Sequence, residues 1–292
     1  MTRVLLVCIF TGVIHSIDAL YYSSRIAAVR VRKLGIALTL FNFLIILARG
    51  ANTIQAPITG SLVDQAMVGY THQVPAAILI SLAWRFRYII FSATIGSILG
   101  ALLVPSFIQV FTRVLSIFER EASVMKLFLR MFRFRTYRVL VESVRKPQVK
   151  RPDEHEKSTI PKGFLIANVI VVAVYTTGVL STIYSGALIP VFRLTADNLS
   201  GVVNVIATIL LVIMVDPMIA LTTDRAIAGE RSEHDVKVMV WYLVAGKIIG
   251  TLIAQIVFLP ASGVIASVAM VINKPGVMLH PASLLQFFPR LF

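Results

Sequence analysis

Long apolar stretches, most of them close to 20 residues, constrain this chain more than any other feature of its sequence. A helix of that length spans about 30 Å, which matches the hydrocarbon core of a bilayer. Helices satisfy their own backbone hydrogen bonds in lipid, so apolar stretches of this length favour them. The chain is 57% hydrophobic and 14% charged, whereas soluble domains carry about 25% charged residues. The sequence therefore predicts an all-α, polytopic membrane protein.

The apolar stretches predict six transmembrane helices. Their expected bounds are 4–20, 34–56, 88–111, 164–191, 199–221 and 238–259. Pro57 is expected to end the second span. Residues 76–84 are apolar, but nine helical residues cover only about 14 Å, so we expect a re-entrant or surface-lying piece there. Residues 260–292 contain four prolines and predict a short helix followed by a surface tail.

Residues 112–162 form a basic segment that holds 13 of the 28 lysine and arginine residues. Within it, residues 124–146 place apolar side chains at helical spacing between arginines. This pattern predicts an amphipathic cytoplasmic helix that binds anionic membrane lipids. The chain has a net charge of +14, which in a soluble protein would suggest a nucleic-acid partner. Here the basic residues flank apolar spans, so anchoring and orientation explain the charge better, and we expect no nucleic acid.

The distribution of basic residues also predicts the orientation. If the N-terminus is outside, the cytoplasmic loops hold 20 lysine and arginine residues and the external side holds six. Basic residues concentrate on the cytoplasmic side of membrane proteins, so we expect both termini outside. The predicted organisation is a first three-helix membrane half over 1–111, the basic segment 112–162, and a second three-helix half with its tail over 163–292. No oligomeric state is predicted.

Polar side chains inside the predicted spans give the clearest indication of function. A charge at the centre of a span costs about 2.5–3.5 kcal/mol on insertion scales, so it is usually paired or functional. In the first span, His15, Asp18 and Arg25 lie with Tyr22 on one face of the helix. The candidates are His15, Asp18, Arg25, Arg49, Asn52, Gln55, Asp216 and Lys247. They predict a polar track across the membrane if the helices bring these faces together.

Structural interpretations compete with functional ones at these positions. His15 and Asp18 could form a hydrogen-bonded pair between helices, and Arg49 could extend to the interface or pair with an acid. Lys247 could form a salt bridge with Asp216. Pro217 frees a backbone carbonyl one turn earlier and kinks the helix, and broken helices often mark transport sites, although some prolines only assist packing.

The sequence contains no catalytic or cofactor motif. Cys8 is the single cysteine, which excludes an internal disulfide and a cysteine-based metal or redox centre. Metalloprotease and phosphate-binding patterns are also absent from the sequence. We therefore expect no enzyme activity, no cofactor and no metal, and any uphill transport would need an ion gradient or a downstream sink.

Two regions of the chain resemble the Amj family, the alternate lipid II flippases of bacteria. The first region includes His15, Tyr22 to Arg25, Val29-Arg30, Leu40 to Asn42, Arg49, Asn52, Gln55 to Pro57 and Asp64. The second runs from Val215-Asp216-Pro217 to Arg231-Ser232-Glu233. The resemblance implies transport of the undecaprenyl-diphosphate-linked peptidoglycan precursor from the inner to the outer leaflet of the bacterial plasma membrane.

The resemblance also implies different functions for different polar residues. The residues expected to bind the precursor, through its phosphates, sugars or peptide, are Arg25, Arg49, Asn52, Gln55 and Lys247. Those expected to balance charge or exchange protons are His15, Asp18 and Asp216. Two other functions fit the same residues: an ion-coupled transporter of a small anionic or zwitterionic solute, and a non-transporting scaffold that presents the segment 112–162 to partners.

Overall fold

The structure is a computed structural model that describes residues 2–121 and 160–274. The amphipathic helix predicted over 124–146 and the tail beyond residue 274 lie outside the described residues. Within the described ranges the chain is helical and contains no strand. The α-helices are α1 Thr2–Val31, α2 Leu34–Ala66, α3 Ala76–Glu121, α4 Lys162–Leu188, α5 Arg193–Leu210, α6 Asp216–Ile227 and α7 Glu233–Ile272.

Six helical segments of the described chain are long and apolar enough to cross a membrane, which confirms the all-α polytopic prediction. Five of them are single helices. The fifth span is compound: a short 3₁₀ turn at Pro190–Phe192 precedes α5, and a π-helical turn at Leu211–Val215 joins α5 to α6. Because successive spans alternate in direction across the bundle, α1 and α4 begin on opposite faces. We call the end where α1 begins the N-terminal face.

The helices run further than the apolar pattern predicts. α2 continues through Pro57 to Ala66, so the prediction that this proline ends the span is wrong. Residues 76–84 continue into α3 without a break, unlike the short separate piece that the sequence predicted. Pro260 likewise lies inside α7. A proline removes one backbone hydrogen bond, but neighbouring helices and local adjustments compensate in a membrane helix, so the helix can continue.

Two pairs of helices cross at very short range through glycine. α1 runs along α3, where a Cβ atom at Gly96 would overlap the backbone of Gly12. α4 runs along α7, where a Cβ at Gly250 would lie 2.8 Å from the Val169 carbonyl oxygen. Helix association in lipid depends on close packing rather than on apolar burial, so small residues permit the contact. α2 packs mainly on α1, and α5 mainly on α4.

Ion pairs join helix ends on both faces of the bundle. On the N-terminal face, Arg193 at the start of α5 pairs with Asp64 near the end of α2. On the opposite face, Arg30 Nη2 lies 2.9 Å from Glu233 Oε1, and Lys237 Nζ lies 2.8 Å from the same oxygen. The two pairs that join different helices, Arg193 with Asp64 and Arg30 with Glu233, retain partial solvent exposure. Surface ion pairs contribute little to stability, so their importance is in which helices they connect.

We expect Gly96→Ala to lower the free energy of unfolding by about 1–3 kcal/mol, because the added methyl group overpacks the crossing of α1 and α3. Gly201→Ala is the matched control. Gly201 is an exposed residue inside α5 with no atom near its Cβ position, so alanine should raise stability by about 0.5–1 kcal/mol. Thermal unfolding in detergent measures both, and equal shifts for the two variants would contradict the packing account.

Candidate functional site

A row of polar side chains follows one face of α1 for about 21 Å. Its members are Thr11, His15, Asp18, Tyr22 and Arg25. The spacing alternates between four and three residues, which keeps all five side chains within one narrow sector of the helix. Partners for this row come from α2, α4, α6 and α7, so the row lies where the two halves of the bundle meet.

The centre of the row is an ion pair between α1 and α7. Lys247 Nζ lies 3.3 Å from Asp18 Oδ2. The lysine side chain is only 5% exposed, whereas the aspartate side chain is 43% exposed. A buried ammonium needs a partner, and Asp18 rather than Asp216 supplies it. Asp18 lies more than halfway along a membrane-spanning helix, yet its carboxylate remains accessible at the surface of the bundle.

Arg25 lies nearer the opposite face and is almost fully buried. Its Nη2 donates a hydrogen bond of 2.8 Å to the Tyr21 hydroxyl, and its guanidinium carbon is 5.3 Å from the centre of the Tyr21 ring. Asp216 interacts with Arg25 electrostatically. Among the described residues, however, Arg25 Nε and Asp216 Oδ1 have no hydrogen-bond partner. Arg25 Nε can therefore donate a hydrogen bond to a ligand, and Asp216 Oδ1 can accept one.

Hydrogen bonds between helices hold the row in place between these two charged sites. The Tyr22 hydroxyl donates to Asn168 Oδ1 at 3.2 Å, and Asn168 Nδ2 donates to the Leu243 carbonyl at 3.1 Å. These two hydrogen bonds link α1, α4 and α7 at the level of Tyr22. His15 interacts electrostatically with both Asp18 and Lys247, and its buried Nδ1 has no hydrogen-bond partner among the described residues.

Asp216 lies where the fifth span is irregular. The π-helical turn Leu211–Val215 ends directly before it, and Pro217 follows as the second residue of α6. A π-helical turn inserts one extra residue, and such turns often occur at functional sites. The irregularity predicted at Asp216-Pro217 is confirmed.

Comparison with known proteins shows the family of the chain. The model of the Amj family, described as alternate to MurJ, matches residues 10–269, which include every polar residue discussed above. The chain belongs to the Amj family. Of its relatives, "Lipid II flippase Amj" from Bacillus subtilis (strain 168) is 35% identical over 266 residues. The match covers 91% of this chain and 96% of that relative. No solved structure matches the chain.

This Amj-family protein brings together most, though not all, of the residues that the sequence singled out. The row and its direct partners include His15, Asp18, Arg25, Asp216, Lys247 and Gln55. Gln55 is buried, and its Nε2 donates a hydrogen bond of 2.8 Å to Thr11 Oγ1. Arg49 and Asn52 are exposed on the flank of α2 beside its buried face and do not join the row.

Sequence reasoning missed two members of the candidate site. Thr11 extends the alternating spacing of the row by one step, so the helix periodicity could have revealed it. Asn168 is a lone carboxamide in the apolar stretch of the fourth span, and a carboxamide in a membrane helix needs a partner. The partner of each residue depends on which helices pack together, and the linear spacing does not specify this.

The unequal burial of Asp18 and Lys247 predicts unequal effects of removing them. Asp18→Asn leaves a buried ammonium without its counter-charge, and breaking a buried pair in this way costs about 3–5 kcal/mol. Lys247→Met removes the buried charge and leaves a carboxylate that is already partly exposed, so we expect a clearly smaller loss. Thermal unfolding of the two variants in the same detergent measures the difference. Equal losses, or a larger loss for Lys247→Met, would contradict the assignment of the buried partner.

Proposed function

We propose that this chain is a lipid II flippase, which moves the undecaprenyl-diphosphate-linked peptidoglycan precursor from the inner to the outer leaflet of the bacterial plasma membrane. Membership of the Amj family and the name of the Bacillus subtilis relative support this function. The chain is then a multi-pass transporter of a lipid-linked precursor, not an enzyme. Neither comparison favours a small-solute transporter or a scaffold.

The observation that best supports the proposal is the exposed carboxylate of Asp18 within the membrane-spanning part of the bundle. A headgroup that crosses the bilayer needs a polar path, since unpaired polar groups in hydrocarbon cost several kcal/mol each. The row on α1 offers such a path over about 21 Å, and the 43% exposure of the Asp18 side chain supports a path that opens at the surface of the bundle. The apolar tail of the substrate can stay in the lipid beside this path.

Arg25 is the residue that we expect to bind the diphosphate first. A guanidinium recognises phosphate oxygens through several N–H donors, and Arg25 Nε has no partner among the described residues. Asp216 balances the charge of Arg25 when the site is empty and gives way to the diphosphate when it binds. Asp18 balances the charge of Lys247 in the same way. The diphosphate can therefore replace Asp216 as the partner of Arg25 first, and Asp18 as the partner of Lys247 next.

The remaining candidates contact other parts of the substrate in this proposal. Gln55 Oε1 is buried and has no partner among the described residues, so it can accept a hydrogen bond from a sugar or peptide N–H or O–H group. Arg49 and Asn52 lie exposed on α2 and meet the headgroup near the end of its path. His15, Asp18 and Asp216 balance charge or exchange protons as the anion passes.

The proposed orientation places both termini outside the cell. Arg25 then lies near the cytoplasmic leaflet, where the precursor enters, and the pair of Asp64 with Arg193 lies at the external face. Residues 124–146 would bind anionic lipids of the cytoplasmic leaflet, as the concentration of basic residues in 112–162 suggests.

The test uses bacterial cells in which this chain is the only lipid II flippase. Depleting MurJ from cells that express the chain should leave growth intact, and lipid II should remain accessible on the outer leaflet. Arg25→Ala should lower that accessible lipid II by about 10-fold or more, since it removes a charged hydrogen-bond partner. Arg25→Lys, which keeps the charge but loses the planar donors, should give an intermediate value.

Arg225→Ala is the matched control, because Arg225 is an exposed arginine whose only ion pair among the described residues, with Glu230, is 3.9 Å long. It should transport normally at the same protein level. Failure of the well-expressed, correctly inserted wild-type chain to support growth would refute the flippase proposal itself. Normal outer-leaflet lipid II in Arg25→Ala would refute only the function assigned to Arg25.

A further inference from the structure

The second and fifth spans repeat one pattern of residues with the same spacing. A basic residue comes 24 positions before a proline, and an aspartate comes seven positions after it. In the second span these residues are Lys33, Pro57 and Asp64, and in the fifth span they are Arg193, Pro217 and Asp224. A constant offset of 160 residues relates the three positions of the two spans.

The same offset relates the turns that end the two spans. Gly69 has φ of 86° and Gly229 has φ of 83°, and within the described residues they are the glycines with positive φ. Each glycine follows the aspartate of its span by five residues. Because a left-handed backbone conformation here favours glycine, the match is one of structure as well as of sequence.

Helix packing repeats as well. In the first three spans, α1 crosses α3 closely and α2 packs on α1. In the last three, α4 crosses α7 closely and α5 packs on α4. Glycines four residues apart make both crossings: Gly96 and Gly100 on α3, and Gly246 and Gly250 on α7. Contacts between the halves show the same correspondence. α1 of the first half contacts α6 and α7 of the second half, and α4 of the second half contacts α2 and α3 of the first half.

The two halves cross the membrane in opposite directions, because α1 and α4 begin on opposite faces. We infer that the chain is an inverted repeat, with spans one to three related to spans four to six by a pseudo-twofold axis in the membrane plane. Inverted repeats allow a transporter to open alternately to its two sides, since each half can adopt the conformation of the other.

The repeat identifies a second gate, and this inference rests on the proposed transport function. Asp64 and Arg193 join the second and fifth spans at the N-terminal face. The pseudo-twofold axis relates this pair to Asp224 and Lys33, which lie at the opposite face. Within the described part of the chain no ion pair connects Asp224 with Lys33. In the alternative state, an ion pair of Lys33 with Asp224 joins the same two spans at the opposite face, where Arg30 and Glu233 already link α1 to α7 in this structure.

Charge reversal tests this gate in cells that depend on the chain for lipid II export. Lys33→Asp and Asp224→Lys should each lower outer-leaflet lipid II by about 10-fold, and the double variant should restore most of it, as coupled residues do. Lys33→Asp combined with Glu230→Lys is the control, because it makes the same two charge changes and Glu230 is not related to Lys33 by the repeat. Recovery in the control as well, or additive losses in both double variants, would refute the gate.

Cysteine cross-linking tests the two states without relying on transport. In a Cys8→Ser background, Asp64→Cys/Arg193→Cys and Lys33→Cys/Asp224→Cys should both form disulfides in oxidised membranes, because the protein visits both states. Absence of the second disulfide, with the first one formed, would refute the inference even if lipid II export were normal. If both disulfides form but the wild-type chain exports no lipid II, the gates stand and the proposed substrate is wrong.

Discussion

The buried ammonium of Lys247 sets the condition that the rest of the site must meet. A lysine that is 5% exposed in the middle of a membrane protein needs a counter-charge at its own depth, and Asp18 is the carboxylate in contact with it. This pairing fixes α1 against α7 and orients the polar face of α1 towards the junction of the two halves. It also leaves the Asp18 side chain 43% exposed, so a buried charge adjoins an accessible one.

The packing divides the bundle into parts of different stiffness. The crossings of α1 with α3 and of α4 with α7 leave no room for even a methyl group at Gly96 or Gly250, so those helices move as units. α2 and α5 each rest mainly on one neighbour. A substrate with a large polar headgroup requires a path that widens, and the two loosely held spans can open that path without disturbing the four helices behind it.

Sequence reasoning succeeded where helix periodicity decides the result. The spacing of His15, Asp18 and Arg25 placed them on one face, and the structure brings partners to that face. It failed where the result depends on which helix packs beside which. The sequence suggested Asp216 as the salt-bridge partner of Lys247, whereas the packing of α1 against α7 brings Asp18 to it instead. The end predicted at Pro57 failed because a broken helix in lipid finds no water to replace its hydrogen bonds.

The π-helical turn at Leu211–Val215 determines the angular position of everything that follows it in the fifth span. Successive residues of an α-helix are rotated by about 100° around the axis. The extra residue in the turn therefore rotates α6 by that angle relative to α5. Without it, Asp216 would point about a quarter-turn or more away from Arg25, and Asp224 would turn with it. One inserted residue thus sets the register of both an interior charge and a charge at the membrane surface.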